Sequence, residues 1–167
     1  MKTVMVHPKL KLKKSSLEII LNIVSVLSIM ALAVYILIMW NEIPHTIPIH
    51  FNAYGEPDNH GSKNVIWIFI ALNIVIWSGF SLLESFPHKY HYSFLTEGNT
   101  EKQYKNASCM LNCLKAEIVL FFSYVSWEFI QFPLGKLERL SSGSVLFAVL
   151  VVFLTLIFFI VRSFKLK

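Results

Sequence analysis

The stretch LEIILNIVSVLSIMALAVYILIMW, residues 17–40, decides the fold. Its only charged side chain is Glu18, at the very start. A bilayer core takes about 20 apolar residues in helical form, so this run is long enough to cross one. Three further runs pass the same length test or come close to it: residues 64–84, 108–132 and 144–161. The third carries charges and the fourth is short. A basic start and an Ala31-Leu32-Ala33 tripeptide give the first run the look of a cleavable signal. A signal's apolar region is only about 7–15 residues long, and this one continues to Trp40, so it reads as an uncleaved helix.

The bulk of the chain agrees. Of 167 residues, 55% are hydrophobic and 15% charged, against about a quarter charged in soluble domains. The formal net charge of +5 is a topology signal rather than a nucleic-acid footprint, because the basic residues cluster at the ends of apolar runs. Lys2, Lys9, Lys11, Lys13 and Lys14 precede the first run; Lys89, Lys102 and Lys105 lie between the second and third; Arg162, Lys165 and Lys167 follow the fourth. The alternate connections hold only Lys63, Lys136 and Arg139. Lysine and arginine stay inside. Both termini are therefore expected in the cytoplasm, and the 41–63 connection outside.

The expected fold class is an all-α integral membrane protein, a four-transmembrane-helix bundle with an ordered extracellular loop between helices 1 and 2. Its organisation is a basic tail (1–16), a transmembrane domain (17–161) with its outer loop at 41–63, and a basic tail (162–167). The Lys9-to-Lys14 run reads as an orientation signal that could also touch anionic headgroups. Ser15-x-x-Glu18 and Thr100-x-x-Gln103 have the capping-box pattern that opens a helix. The latter starts helix three about two turns before the bilayer. Pro133 and Gly135 end it, and Ser141-Ser142 can cap helix four. Trp40, Trp67 and Trp127 read as interfacial anchors. Cys109 and Cys113 read as small packing residues.

Polar residues within the runs face protein or water rather than lipid. The candidates are Asn73, Glu84, Lys115, Glu117, Tyr124 and Glu128. At about 100° per residue, Cys113, Glu117, Tyr124, Glu128 and Gln131 share one sector of helix three. Asn73, Trp77, Ser81 and Glu84 share a face of helix two, and Asn22, Ser25 and Ser28 form a weaker stripe on helix one. Helices one to three are expected to join these stripes. Helix four, with only Thr155 between 145 and 161, is expected at the lipid-facing edge. Lys115 should diverge from Glu117, either snorkelling to the headgroups or pairing with Glu84. The stripe serves either as interhelical glue or as an ion or proton path.

The outer connection carries the chemistry. Residues 43–63 read IPHTIPIHFNAYGEPDNHGSK, with three histidines, two acids, three prolines and two glycines. Pro44 and Pro48 block a helix. The alternation of Ile47, Ile49 and Phe51 with Pro48 and His50 suggests a short extended piece. Tyr54-Gly55 and His60-Gly61 offer turns with positive φ. His45, His50, His60 and Asp58 are candidate ligands for a divalent metal, although their spacing matches no zinc signature. In the alternative, His50 and Asn52 hydrogen-bond the loop backbone or Glu128. Ile47, Ile49 and Phe51 would bury themselves against the helix ends, making the loop a cap.

The run Pro44-x-x-Ile47-Pro48-x-His50-Phe51-Asn52-x-x-Gly55-Glu56-Pro57-Asp58-x-x-Gly61-Ser62-Lys63 resembles the signature of a bacterial membrane domain of unknown function. That domain is found at the N-terminus of Sdp-type bacteriocin immunity and signalling proteins. The resemblance implies a bacterial plasma-membrane protein and suggests immunity to a secreted peptide toxin, with Pro48, His50, Phe51, Asn52, Gly55, Glu56, Asp58, Gly61 and Lys63 as the recognition loop. Sdp-type proteins carry a further helical region, whereas this sequence stops at Lys167. No nucleophile–base pair or phosphate loop is evident, so the expected role is non-enzymatic, without a resident cofactor and without nucleic acid. The expected partners are the lipid bilayer and a secreted peptide or another membrane protein. A metal or small-ligand sensor and an accessory subunit of a membrane complex are the alternatives.

Overall fold

The computed structural model describes residues 8–52, 54–137 and 141–167, with the backbone alone at Ser142. Lys2 and Arg139 of the charge pattern, and the capping side chain of Ser142, lie outside the described residues. The elements are α1 (Ser16–Met39), β1 (Thr46–Phe51), β2 (Pro57–Ser62), α2 (Ile66–Leu83), α3 (Thr100–Gln131) and α4 (Ser142–Lys165). Single 3-10 turns at Lys63–Val65 and Pro87–Lys89 lead into and out of α2. Among the described residues, four helices are long and apolar enough to cross a membrane.

The burial pattern is that of a lipid-solvated protein. Ile38 is 70% exposed and Leu146 73%, whereas Lys115, Asn112 and Asn73 lie inside. In water this arrangement would be ruinous. In lipid, apolar side chains face the solvent and polar ones must find partners within the protein. α3 is the hub: α1, α2 and α4 all pack along it. The reason lies in a stripe spaced by threes and fours: Ser108, Asn112, Lys115, Val119, Ser123, Ser126 and Ile130 are all buried. Small residues in such a seam let helix backbones approach closely.

α1 opens with the expected capping box. Ser15 Oγ accepts from the Glu18 N–H at 3.3 Å, and the Ser15 N–H donates to Glu18 Oε2 at 2.7 Å. The Thr100 pattern does not close. Thr100 Oγ1 donates to the Thr96 carbonyl and Gln103 turns to α4, so Asn99 is the cap residue, without a side-chain bond into the helix. Ser141 precedes α4, also without a side-chain cap bond. At the other end of α3, Gly135 (φ 69°) allows the Lys136 N–H to reach the Gln131 carbonyl.

α4 lies at the edge, against α3. It is tied there by polar bonds rather than by apolar packing alone. Gln103 Nε2 donates to the Ser163 carbonyl and Asn106 Nδ2 to the Phe159 carbonyl, both at 3.0 Å. Thr155 Oγ1 donates to Glu117 Oε1 at 2.5 Å. The expectation of one polar sector on α3 facing α1 and α2 is therefore corrected in part: Gln131 of that sector does meet α1, donating to the Tyr35 hydroxyl. Glu117 serves the α4 contact, while the face meeting α1 and α2 is the stripe through Lys115.

The all-α expectation is corrected as well. Residues 46–62 form an antiparallel hairpin, with Thr46 opposite Ser62 and Phe51 opposite Pro57. Pro48 cannot donate to a ladder, and the register shifts beside it, between Pro48 and His50. A segment that prolines keep out of a helix must pair its remaining backbone groups some other way, and the second strand supplies the partners.

Candidate functional site

Two polar constructions occupy opposite ends of the bundle. The first is the hairpin cap. Ile47 is fully buried in a cluster with Leu32, Ile36, Met39, Ile43, Ile66, Phe129 and Ile130. Phe51 packs edge-on to Phe129 and Phe132, with centroids at 6.0 and 5.1 Å. Lys63 fastens the far strand. Its ammonium donates to the carbonyls of Trp40 (2.8 Å) and Ile43 (3.2 Å) and lies 4.5 Å from the Trp40 ring centroid. Trp40 in turn packs on Trp67.

Asn52 closes the turn. Its Oδ1 accepts from the backbone N–H groups of Tyr54 and Glu56, at 2.9 and 3.0 Å, and its Nδ2 donates to the Glu56 carboxylate. Gly55 has φ 79°, a conformation that side chains with a Cβ resist. Gly61 does not make the turn that was expected of it. It does not have positive φ; a Cβ there would sit 2.9 Å from Ile49 Cδ1. Ile49 itself is not buried under the cap as expected. It is exposed where Ile47 is buried, and the ladder shifts register at its position. Four signature residues, Asn52, Gly55, Gly61 and Lys63, thus build the cap, and Pro48 lies buried beneath it.

What faces outward is Ile49, His50, Tyr54, Glu56 and Asp58. Tyr54 is 82% exposed. His50 Nδ1 lies 2.6 Å from Asp58 Oδ1. His45 and His60 do not join this pair: among the described residues, no group of three His, Cys, Asp or Glu side chains is placed to hold a metal ion. Nor does Glu128 reach the loop. It accepts from Tyr124, one turn back on its own helix, at 2.8 Å.

The second construction, at the tail end, is denser. Lys115, with 0% exposure, donates to Asn22 Oδ1 (2.7 Å), Ser81 Oγ (3.1 Å) and Glu84 Oε2 (3.2 Å). It does not snorkel. Lys14 from the tail reaches the other oxygen of Glu84 at 2.5 Å. Asn22 Nδ2 donates to Asn112 Oδ1 at 2.7 Å, and Asn112 Nδ2 faces Glu18 at 3.4 Å and the Ser108 carbonyl at 3.0 Å. One network thereby joins the tail, α1, α2 and α3. The pairing of Lys115 with Glu84 was legible in the sequence. Ser81 stood on the expected polar face of helix two, and Lys14 was read only as an orientation signal; Asn112 and Ser108 were not picked out, although the three-and-four spacing of residues 108, 112 and 115 was the available signal. Asn73, also on α2, is buried and, among the described residues, bonds within its own helix, to the Phe69 carbonyl.

Fold and sites together define a multi-pass membrane protein: four helices, one end capped by a hairpin and the other closed by an ionic network. Residues 27–74 match the family described as a domain of unknown function, DUF1648. That span runs from within α1 through the hairpin into α2, so the match falls on the cap and its two supporting helices. No curated protein and no solved structure matches the chain.

Proposed function

We propose that this is a non-enzymatic protein of the bacterial plasma membrane that recognises a membrane-active peptide through its hairpin cap, for self-protection or sensing. The observation that carries the reading is a division of labour on the hairpin. Inward residues hold the cap, and Ile49, His50, Tyr54, Glu56 and Asp58 are presented outward; the Tyr54 ring, at 82% exposure, takes no part in holding it. Exposed aromatic residues on a rigid support are efficient anchors for a partner. Glu56 and Asp58 suit a cationic peptide. The lysine distribution supports the matching topology, with both termini in the cytoplasm and the hairpin outside.

Deleting the gene and challenging the cells with their own secreted peptides tests this reading. Increased sensitivity to one peptide is expected, restored by the wild-type gene but not by Tyr54→Ala/Asp58→Asn. Unchanged sensitivity to all of them overturns it. The His50–Asp58 pair also favours a second reading, a divalent-metal or small-ligand sensor. Stoichiometric metal in purified protein, lost in His50→Ala, would favour that sensor. Stable co-purification with a larger membrane assembly, with no peptide phenotype, would favour an accessory subunit.

A further inference from the structure

Beneath the ionic network, at the tail end, lies a cavity of about 410 Å³ between the tail, the end of α2 and α3. Its wall carries Lys11, Lys13, Lys14 and Lys105, together with Ser108 and Asn112. Two carboxylates also line it; one is balanced by lysines and the other keeps its charge but is held by neutral donors, against four lysines in the same lining. Glu84 is held by Lys14 and Lys115. Glu18 accepts from the Ser15 N–H and hydroxyl at 2.7 Å and faces Asn112. Lys105 pairs with the exposed Glu101 at the cavity rim. Among the described residues, Lys11 and Lys13 have no acidic partner. The cavity is therefore electropositive.

An independent observation points into the same space. The Ser108 hydroxyl is buried without a hydrogen-bond partner, in a residue only 7% exposed. A buried hydroxyl without a partner is costly. One that lines a cationic cavity is poised to donate to an anion. The tail also brings Leu10 and Leu12 to the wall, and the neighbouring helix ends show lipid-facing Leu17, Leu83 and Phe86. A charged head with an apolar continuation fits this surround better than a free ion does.

We propose that this cavity binds the phosphate-bearing headgroup of an anionic phospholipid. Lys11 and Lys13 supply charge from the tail, Lys105 from α3, and Ser108 donates to a phosphate oxygen. Basic pockets between helices at the headgroup level are suited to such lipids. Bound lipid would also hold the tail against the bundle, on the same side as the Lys14–Glu84 bond.

The test is native mass spectrometry of the full chain in detergent, titrated with phosphatidylglycerol or phosphatidylcholine. One tightly held phosphatidylglycerol is expected, in preference to phosphatidylcholine. Each unpaired lysine near a headgroup contributes roughly fivefold in affinity, so Lys11→Gln/Lys13→Gln should bind about 25-fold more weakly. Lys102→Gln/Lys165→Gln removes the same charge at the same end but outside the cavity, and should lose little. Ser108→Ala, which changes no charge, should weaken binding several-fold. Equal losses in the two double variants would overturn the proposal in favour of diffuse attraction. So would an unchanged affinity in Ser108→Ala. Displacement of the lipid by millimolar inorganic phosphate would mean that the site serves a free anion.

Discussion

Replacing Lys115 with Met keeps the aliphatic stem and removes a cation that three helices share. Lys115 is wholly buried and donates to α1 through Asn22 and to α2 through Ser81 and Glu84. Interhelical hydrogen bonds in membranes average about 0.6 kcal/mol each, so three of them contribute about 2 kcal/mol. Removing one partner of a fully buried ion pair costs about 3–5 kcal/mol, because the other charge is left uncompensated. Here Glu84 keeps Lys14 at 2.5 Å, which limits that second cost. Asn22 likewise keeps the Glu18 carbonyl and Asn112 through its Nδ2. The expected loss for Lys115→Met is therefore about 2–3 kcal/mol, between these two limits. Reversible unfolding in mixed micelles, followed by circular dichroism, measures it. Adding Glu84→Gln should cost less than the same change in the wild type, because no buried cation remains to be orphaned. A loss below about 0.5 kcal/mol, or simple additivity of the two changes, would refute the shared-cation account.

The cap separates two kinds of glycine. Gly55→Val places a β-branched residue at φ 79° and should expose the hairpin to protease, at a cost of about 1–3 kcal/mol. Gly61→Ala meets the side chain of Ile49, Cδ1 at 2.9 Å and Cγ2 at 3.1 Å. Ile49 is exposed and can swing outward, so the cap should stay resistant; comparable cleavage of both variants would contradict this. Cysteine labelling of intact cells should modify Ser62→Cys and spare Ser93→Cys, and the reverse pattern would invert the topology. Burial and then the charge of Glu84 push the Tyr90 phenol up to about 12 from its ordinary 10.0, and its hydroxyl donates to the Leu83 carbonyl. A raised folded-state value means that its stabilisation is complete below pH 10 and is lost as pH rises towards 12. Tyr90→Phe should therefore flatten the alkaline fall in stability across that window, and an unchanged fall would show that Tyr90 does not report on folding.

Run length and composition alone determined the spanning helices, since about 20 apolar residues cannot be satisfied otherwise. Local chemistry also determined the capping box at Ser15–Glu18 and the turn at Gly55, because each involves residues only a few positions apart. The pairing of residues 46–51 with 57–62 was beyond that reach. Prolines announced an extended segment, but a strand is completed only by the partner that takes up its backbone groups. The split of α3 into two polar faces was decided in the same way. Helical angle placed Glu117 and Glu128 in one sector, yet Glu117 meets Thr155 of α4 while Glu128 bonds within its own helix. The buried stripe through Ser108, Asn112 and Lys115 stayed hidden because polar and small residues hold the positions where apolar ones mark a core in water. Which of those polar groups meet, across separations such as Asn22 to Asn112 and Lys14 to Glu84, is set by how the helices dock, since in lipid a polar group must find its partner within the protein.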